Sequence, residues 1–289
     1  MNYIWHILVM ISIYAVLAAS LNLVAGYTGL LSLCHAAFYG IGAYATTLLM
    51  MQMGLGFFPA MALAVPLTAL LSLLIAIPSL RLRGDYFVLA TLGFQIIVFS
   101  LLYNCVRLTR GPYGIPGIPI PSLFGVPVDT VFKYFLFSTT ISTGALAILW
   151  LLIRSPFGRL LRAVRDDEVA AAALGKNVPA VKTMAFALGA GLAAIPGAMF
   201  AGYMRYIDPT SFTVGETIFI LSAVVIGGAG SFWGPLVGSA FLVALPEALR
   251  LIQIPDAVAA NLRQVTYGLL LVVLMRIRPR GIMGEYEFK

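Results

Sequence analysis

Nine apolar segments of near-membrane length follow one another along this chain and leave it few folds to choose from. They run over residues 4–24, 29–51, 57–78, 86–104, 132–153, 183–204, 216–232, 235–252 and 262–276. A helix that crosses a hydrocarbon core of about 30 Å needs roughly 20 apolar residues. The first Lys or Arg in the chain is Arg81. Charged residues make up 10% of the sequence and hydrophobic ones 61%. A water-facing domain carries about 25% charge, so this chain lacks the polar surface for one. The expected fold is all-α: a polytopic transmembrane helical bundle of about 8–10 spans, in a single membrane domain over residues 1–289.

Several of these segments carry internal Gly or Pro, among them Gly40, Gly42, Pro66, Gly93, Gly189 and Pro196. Such residues persist in membrane helices where neighbours or a cavity satisfy the freed backbone groups, so broken or re-entrant helices are expected. The N-terminus is apolar from Tyr3 and has no basic stretch before it, which reads as a retained first span rather than a cleaved leader. The net charge of +7 does not point to nucleic acid, because the basic residues sit at segment ends rather than in one patch. Cys34 and Cys105 have neither metal-ligand spacing nor companion ligands, so no metal site is expected.

Residues 154–182 break the pattern. RSPFGRLLRAVRDDEVAAAALGKNVPAVK holds six of the 18 Lys and Arg and three of the 11 Asp and Glu. Ser155 before Pro156 is the signature of an N-cap followed by Pro at the first helical position. Arg159, Arg162 and Arg165 fall on a different face from Leu160, Leu161 and Val164. Asp166, Asp167 and Glu168 then place negative charge at the start of a second short helix, where it complements the helix dipole. Gly175 ends that helix as a C′ glycine, and Asn177 with Pro179 starts the next span. Such a loop is too polar for lipid and has Ala and Gly where a plain interfacial anchor would carry bulky apolar groups. It reads as a surface gripped by another protein. Placing the loop in the cytoplasm puts twelve of the basic residues inside and six outside, in accord with the positive-inside rule. The tail over 277–289 then lies inside as well. The proline-rich stretch over 105–131 faces outward, either as a docking surface or gate for whatever delivers substrate or, the reading preferred, as a connector that forms part of the outer rim.

Glu168 to Gly175, EVAAAALG, resembles the EAA loop of ABC-importer membrane subunits, and SPFGRLLRAVRDDEVAAAALG is similar to the LivM-type permease family of branched-chain amino acid importers. Further matching stretches are GYTGLLSLCHAAFYGIGAY, LRLRGDYFVLATLGF (80–94), YIDPTSFTV (206–214), VVIGGAGSFWGPLVGSA (224–240) and LPEALR (245–250). Cys34 departs from the family, which usually has a small Gly there. The resemblance implies an ABC-importer permease fold and a translocation path for Leu, Ile or Val. Related architectures carry urea, short amides or other small solutes. It further implies a second, LivH-type permease subunit, two cytoplasmic ATPase subunits, an extracytoplasmic binding protein and a bacterial inner-membrane location. The ATPase-coupling residues would be Arg159, Arg162, Arg165, Asp166, Asp167, Glu168, Ala172 and Gly175. No G-x-x-x-x-G-K-[ST] motif occurs, so ATP and Mg would be bound by a partner chain and no cofactor is expected here.

Polar residues inside apolar segments are the candidates for the substrate path: Asn22, His35, Gln95 and Glu216. Each has a plainer reading. His35 can hydrogen-bond a neighbouring helix, and Glu216 can sit at a helix N-terminus after Thr213-Val214-Gly215. No catalytic set emerges, so the chain is expected not to be an enzyme. An ion-coupled carrier would want acidic groups at mid-membrane and has no use for the capped loop. Gly26-x-x-Gly29 echoes Gly227-x-x-Gly230, a faint sign of an internal repeat.

Overall fold

The computed structural model describes residues 2–250 apart from 81, 83, 124 and 125, together with residues 281–283. The expected span 262–276, the tail residues beyond 283, and Arg81, Arg83 and Arg263 lie outside the described residues. Long helices are α1 (Asn2–Thr28), α2 (His35–Met53), α3 (Phe57–Ser79) and α4 (Asp85–Asn104). A short α5 (Val106–Thr109) and strands β1 (Ile115–Pro116), β2 (Ser122–Leu123) and β3 (Val126–Pro127) lead to α6 (Val131–Arg154). The polar loop folds as α7 (Pro156–Asp166) and α8 (Glu168–Ala173). Then come α9 (Val178–Met204), β4 (Tyr206–Ile207), α10 (Val214–Gly227) and α11 (Gly234–Arg250). Helices α1, α3, α4, α6 and α9 are long and apolar enough to cross a membrane. The chain is a polytopic helical membrane bundle.

Helices α1 and α9 are two-thirds buried in their most apolar stretch, whereas α3, α4 and α6 are a third buried or less. The interior is formed by α1 and α9 with α2 and α10, most of whose residues are also buried, and α3, α4 and α6 lie outside them. Small residues make this possible. A Cβ on Gly42 of α2 would stand 2.3 Å from Ala194 Cα of α9, and one on Gly197 would stand 2.3 Å from Tyr39 O. The two backbones touch, as membrane helices do where small residues face each other. Aromatic rings fill the space on either side, including Tyr39 against Phe212 and Phe38 against Phe186.

Two expected spans are shorter than the sequence implied. The segment expected over 29–51 does not become helical until His35, because Gly29 takes a left-handed φ of 71° and the chain turns before re-entering the bundle. The segment expected over 216–232 ends as a helix at Gly227, where Gly228 and Gly230 adopt φ of 109° and 79°. At 14 residues α10 is about 21 Å long, too short for the hydrocarbon core. It packs tightly on α11: a Cβ on Gly238 would lie 1.9 Å from Ala223 O.

The polar loop lies at one end of the bundle. At the opposite end, β1 pairs antiparallel with β4, and Gly117 N and Ile118 N donate to Arg205 O. The proline-rich 105–131 stretch thus forms a rim tied to the end of α9. A cleft of about 130 Å³ there is lined by Val128, Thr130, Tyr134, Tyr203 and Arg205, among others. The start of α1 is at the same end: Trp5 packs on Phe132 and Phe135, and His6 Nδ1 is 2.7 Å from Tyr203 Oη. The N-terminus, whose side the basic residues could not fix, begins opposite the polar loop.

Candidate functional site

The caps of the polar loop form as the residue order requires. Ser155 Oγ accepts from Phe157 N at 3.2 Å and Gly158 N at 3.4 Å, with Pro156 in the first turn. Gly158 is itself a contact point, since a Cβ there would strike Ile153 O. Leu161 and Val164 are fully buried under α7, in a cluster with Leu149, Ile153, Val178, Val181 and Ala185. Arg159 is exposed and Arg162 half-buried. Asp167, not Asp166, caps α8, accepting from Val169 N and Ala170 N at 2.9 Å each. Gly175 has φ 77°, donates to Ala172 O at 2.9 Å, and is followed by Lys176 N to Ala171 O at 3.2 Å. This is the Schellman arrangement for closing a helix. Asn177 Oδ1 accepts from Ala180 N at 3.2 Å and caps α9.

Asp167→Ala removes the acceptor for two amides of a six-residue helix. The expected cost is about 1 kcal/mol, seen as about fivefold faster hydrogen exchange at Val169 and Ala170. Unchanged protection at these amides would show that α8 is held by something other than its cap.

Ala172 and Gly175 are exposed on α8 and its end, and so are Val169 and Leu174, each 80% exposed. Two apolar side chains standing out from an otherwise polar loop were not singled out by sequence, although both lie within EVAAAALG. Glu168 is anchored by a charge-paired hydrogen bond from Lys182 of α9, whose side chain is largely buried. Arg165 departs from the face shared by Arg159 and Arg162. Its side chain is 10% exposed and points inward, with Nη1 donating to Gly26 O at 3.0 Å and Nε to Asp166 Oδ1 at 3.0 Å. Helix α7 turns Arg165 away from water because position 165 lies four residues after Leu161 and seven after Gly158, within the buried stripe.

Among the described residues, no hydrogen bond joins any two of the four intramembrane candidates. Asn22 Oδ1 accepts from Gly230 N at 2.9 Å, and its Nδ2 donates to Ser231 O at 2.8 Å. His35 Nε2 lies 2.7 Å from Ser20 Oγ. Gln95 Oε1 accepts from Ala37 N at 2.7 Å, and Nε2 donates to Phe212 O at 2.8 Å. Glu216 sits in the first turn of α10, where its Oε1 accepts from Tyr14 Oη at 2.6 Å. These contacts have a shared logic. Helix α2 starts inside the bundle, so its first N–H groups need partners away from water. Thr217 Oγ1 accepts from Ala36 N at 3.1 Å, Gln95 takes Ala37 N, and Thr91 Oγ1 accepts from Leu33 N at 3.0 Å. Gln95→Leu removes the donor to the Phe212 carbonyl and the nearer acceptor of the Ala37 amide, which keeps only Cys34 O at 3.1 Å. The expected loss is about 1–3 kcal/mol, read as a lowered melting temperature of the detergent-solubilised protein.

Helix α2 also carries four buried hydroxyls, on Tyr39, Tyr44, Thr46 and Thr47, with no hydrogen-bond partner among the described residues. Tyr and Thr are ordinary in apolar spans, so nothing in the sequence marks them. Among the described residues, no three of His, Cys, Asp and Glu come together as a metal could require.

Comparison with known proteins agrees with this architecture. Residues 3–275 match the family described as branched-chain amino acid transport system / permease component. The high-affinity branched-chain amino acid transport system permease protein LivM of Salmonella typhimurium is 35% identical over 95% of this chain and 68% of its own length. The corresponding permease protein LivH of Escherichia coli is 28% identical over 96% of this chain and 92% of its own. The autoinducer 2 import system permease protein LsrC of Salmonella paratyphi B is 30% identical, over 58% of this chain and 47% of its own. No solved structure gives a significant match. With the match running through all the helices described above, this chain belongs to the family of permease components of branched-chain amino acid transport systems.

Proposed function

We propose that this chain is one of two permease subunits of an ATP-driven importer for leucine, isoleucine and valine, paired with a LivH-type partner. Two ATPases that bind ATP and Mg dock on the 154–182 loop from the cytoplasm. A binding protein delivers substrate at the opposite end, against the rim built from 105–131 and Arg205. The path runs beside α2 and the start of α10, where Glu216 and the unpartnered hydroxyls of Tyr39, Tyr44, Thr46 and Thr47 supply polar contacts in an otherwise apolar interior. The observation that carries this reading is α8. It is a capped helix with Val169, Ala172, Leu174 and Gly175 all exposed, on a loop too polar to enter lipid. Exposed apolar groups of this kind mark a contact with another protein.

Driving this lever requires that the ATPases bind two states of the permease differently, since a ligand shifts an equilibrium only by its differential affinity. The test is uptake of labelled leucine into vesicles holding the whole complex, with ATP and the binding protein. Uptake that needs ATP, together with an ATPase that co-purifies and is lost on Gly175→Trp or Glu168→Lys, supports the reading. ATP-independent uptake by this chain alone would sink it. The likeness to an autoinducer 2 import permease favours one second reading, the same machine with another small polar solute. Competition of unlabelled urea, short amides and sugars against leucine separates the two.

A further inference from the structure

One peptide group joins three parts of the molecule. Gly26 lies in the last turn of α1, where helix carbonyls have no partner in their own helix and the dipole favours a cation. Arg165 of α7 meets that need, donating to Gly26 O at 3.0 Å from a side chain almost withdrawn from water. On its other side Gly26 touches the turn between α10 and α11, since a Cβ there would stand 2.4 Å from Gly230 N. Asn22, one helical turn before Gly26, holds the same turn through both its amide atoms.

The turn itself is stiff. Gly234 N donates to Ser231 Oγ at 2.9 Å, and the end of α10 is tied to the tail by Ile282 N to Ile226 O and Met283 N to Gly227 O, both 2.9 Å. The other end of α10 carries Thr217, which holds the first amides of α2 together with Gln95. A push at α7 therefore has a continuous hydrogen-bonded route to the α2 start: through Gly26 and Asn22 to the turn, then along the rigid length of α10.

We propose that Arg165 and Asn22 are the transmission joint of the importer, positioning residues that carry the movement of the α7–α8 lever to the α10–α11 turn. This rests on the function proposed above. It assigns Arg165 a role inside the permease rather than in the contact with the ATPase. Arg suits the task because its fork of donors binds the Gly26 carbonyl and Asp166 at once. Proximity alone does not establish such a route, so the measurement must be one of coupling.

The experiment uses the complete complex in lipid vesicles. A bimane dye is placed in the turn by Trp233→Cys, a position 63% exposed, with Cys105→Ser and the other reactive cysteines removed. In the otherwise native chain, ATP with vanadate shifts the dye emission. Arg165→Met is expected to keep its ATPases and their hydrolysis but lose the emission shift, with leucine uptake per ATP reduced about tenfold or more. Arg165→Lys, which keeps a donor for Gly26 O, restores much of both signals. Asn22→Leu behaves as Arg165→Met, and the double variant is no worse than either single one, as expected for two parts of one joint. Native coupling in Arg165→Met, or effects of the two substitutions that multiply, would overturn the joint while leaving the importer intact. Absence of any ATPase from the native complex overturns the importer reading and the joint with it.

Discussion

Gly197→Val is expected to abolish accumulation of the folded protein. The Cβ would meet Tyr39 O at 2.3 Å and Ala43 N at 2.8 Å, both backbone atoms of α2. Backbone cannot swing aside as a long side chain can, so α2 and α9 would have to separate. That contact lies at the centre of the bundle, flanked by Gly42 on Ala194 and by the Tyr39, Phe200 and Phe212 rings. Overpacking of this kind costs about 3 kcal/mol or more, a large part of the stability of a typical domain. Size-exclusion profiles of solubilised membranes read the result. Gly93→Ala and Gly144→Ala serve as controls, because a Cβ at either glycine meets nothing within 4 Å. They should leave the profile unchanged or slightly improve it, since Ala is the better helix former. A monodisperse Gly197→Val protein at native yield would show that α2 and α9 do not cross as described.

The second large effect is expected at Val169 and Leu174. Changing both to Asp leaves the permease fold intact, because each side chain is 80% exposed and supports no neighbour of its own chain. In the assembled importer the same two residues would be covered by the ATPase. Fully burying a Val or Leu contributes about 1.5–3 kcal/mol, and replacing it by a carboxylate also introduces a charge that must be desolvated. Loss of two such contacts weakens ATPase association by about 100-fold or more. Affinity of the ATPase for detergent-solubilised permease measures it, and Ala163→Asp, on the exposed side of α7, gives a second point along the loop. Unchanged affinity in the Val169/Leu174 variant would place the docking surface elsewhere. These residues probe the outer contact, whereas Arg165 probes what lies behind it.

Much of the polar loop was legible in the sequence because caps are local. Ser155 with Pro156, the acidic run at 166–168, Gly175 and Asn177 each act on amides or carbonyls within a few residues, so the order of residue types is enough to place the caps, although not to choose Asp167 from its run. The spacing of Arg165, four residues after Leu161 and seven after Gly158, already sets it on the buried side of α7. What the sequence does not show is its partner, the carbonyl of Gly26, 139 positions away, which lets a charged group stay there. The candidate path residues divide in the same way. Asn22, His35, Gln95 and Glu216 stood out as polar groups in apolar segments, but their partners lie on other helices or, for Asn22, in the turn between α10 and α11. Tyr39, Tyr44, Thr46 and Thr47 stood out in no way at all.

What the sequence determined by itself was the medium and the polarity of the molecule. Its lack of charge required a bilayer, its runs of about 20 apolar residues required helices, and its island of charge required one end of the bundle to meet water. What only the tertiary structure decided was where helices stop inside the membrane. The start of α2 falls within a stretch that reads as continuous apolar sequence. It can lie there because Thr91, Gln95 and Thr217 arrive from elsewhere to satisfy the backbone groups that no water reaches. Hydropathy is a property of neighbours along the chain, whereas satisfying a buried amide is a property of neighbours in space.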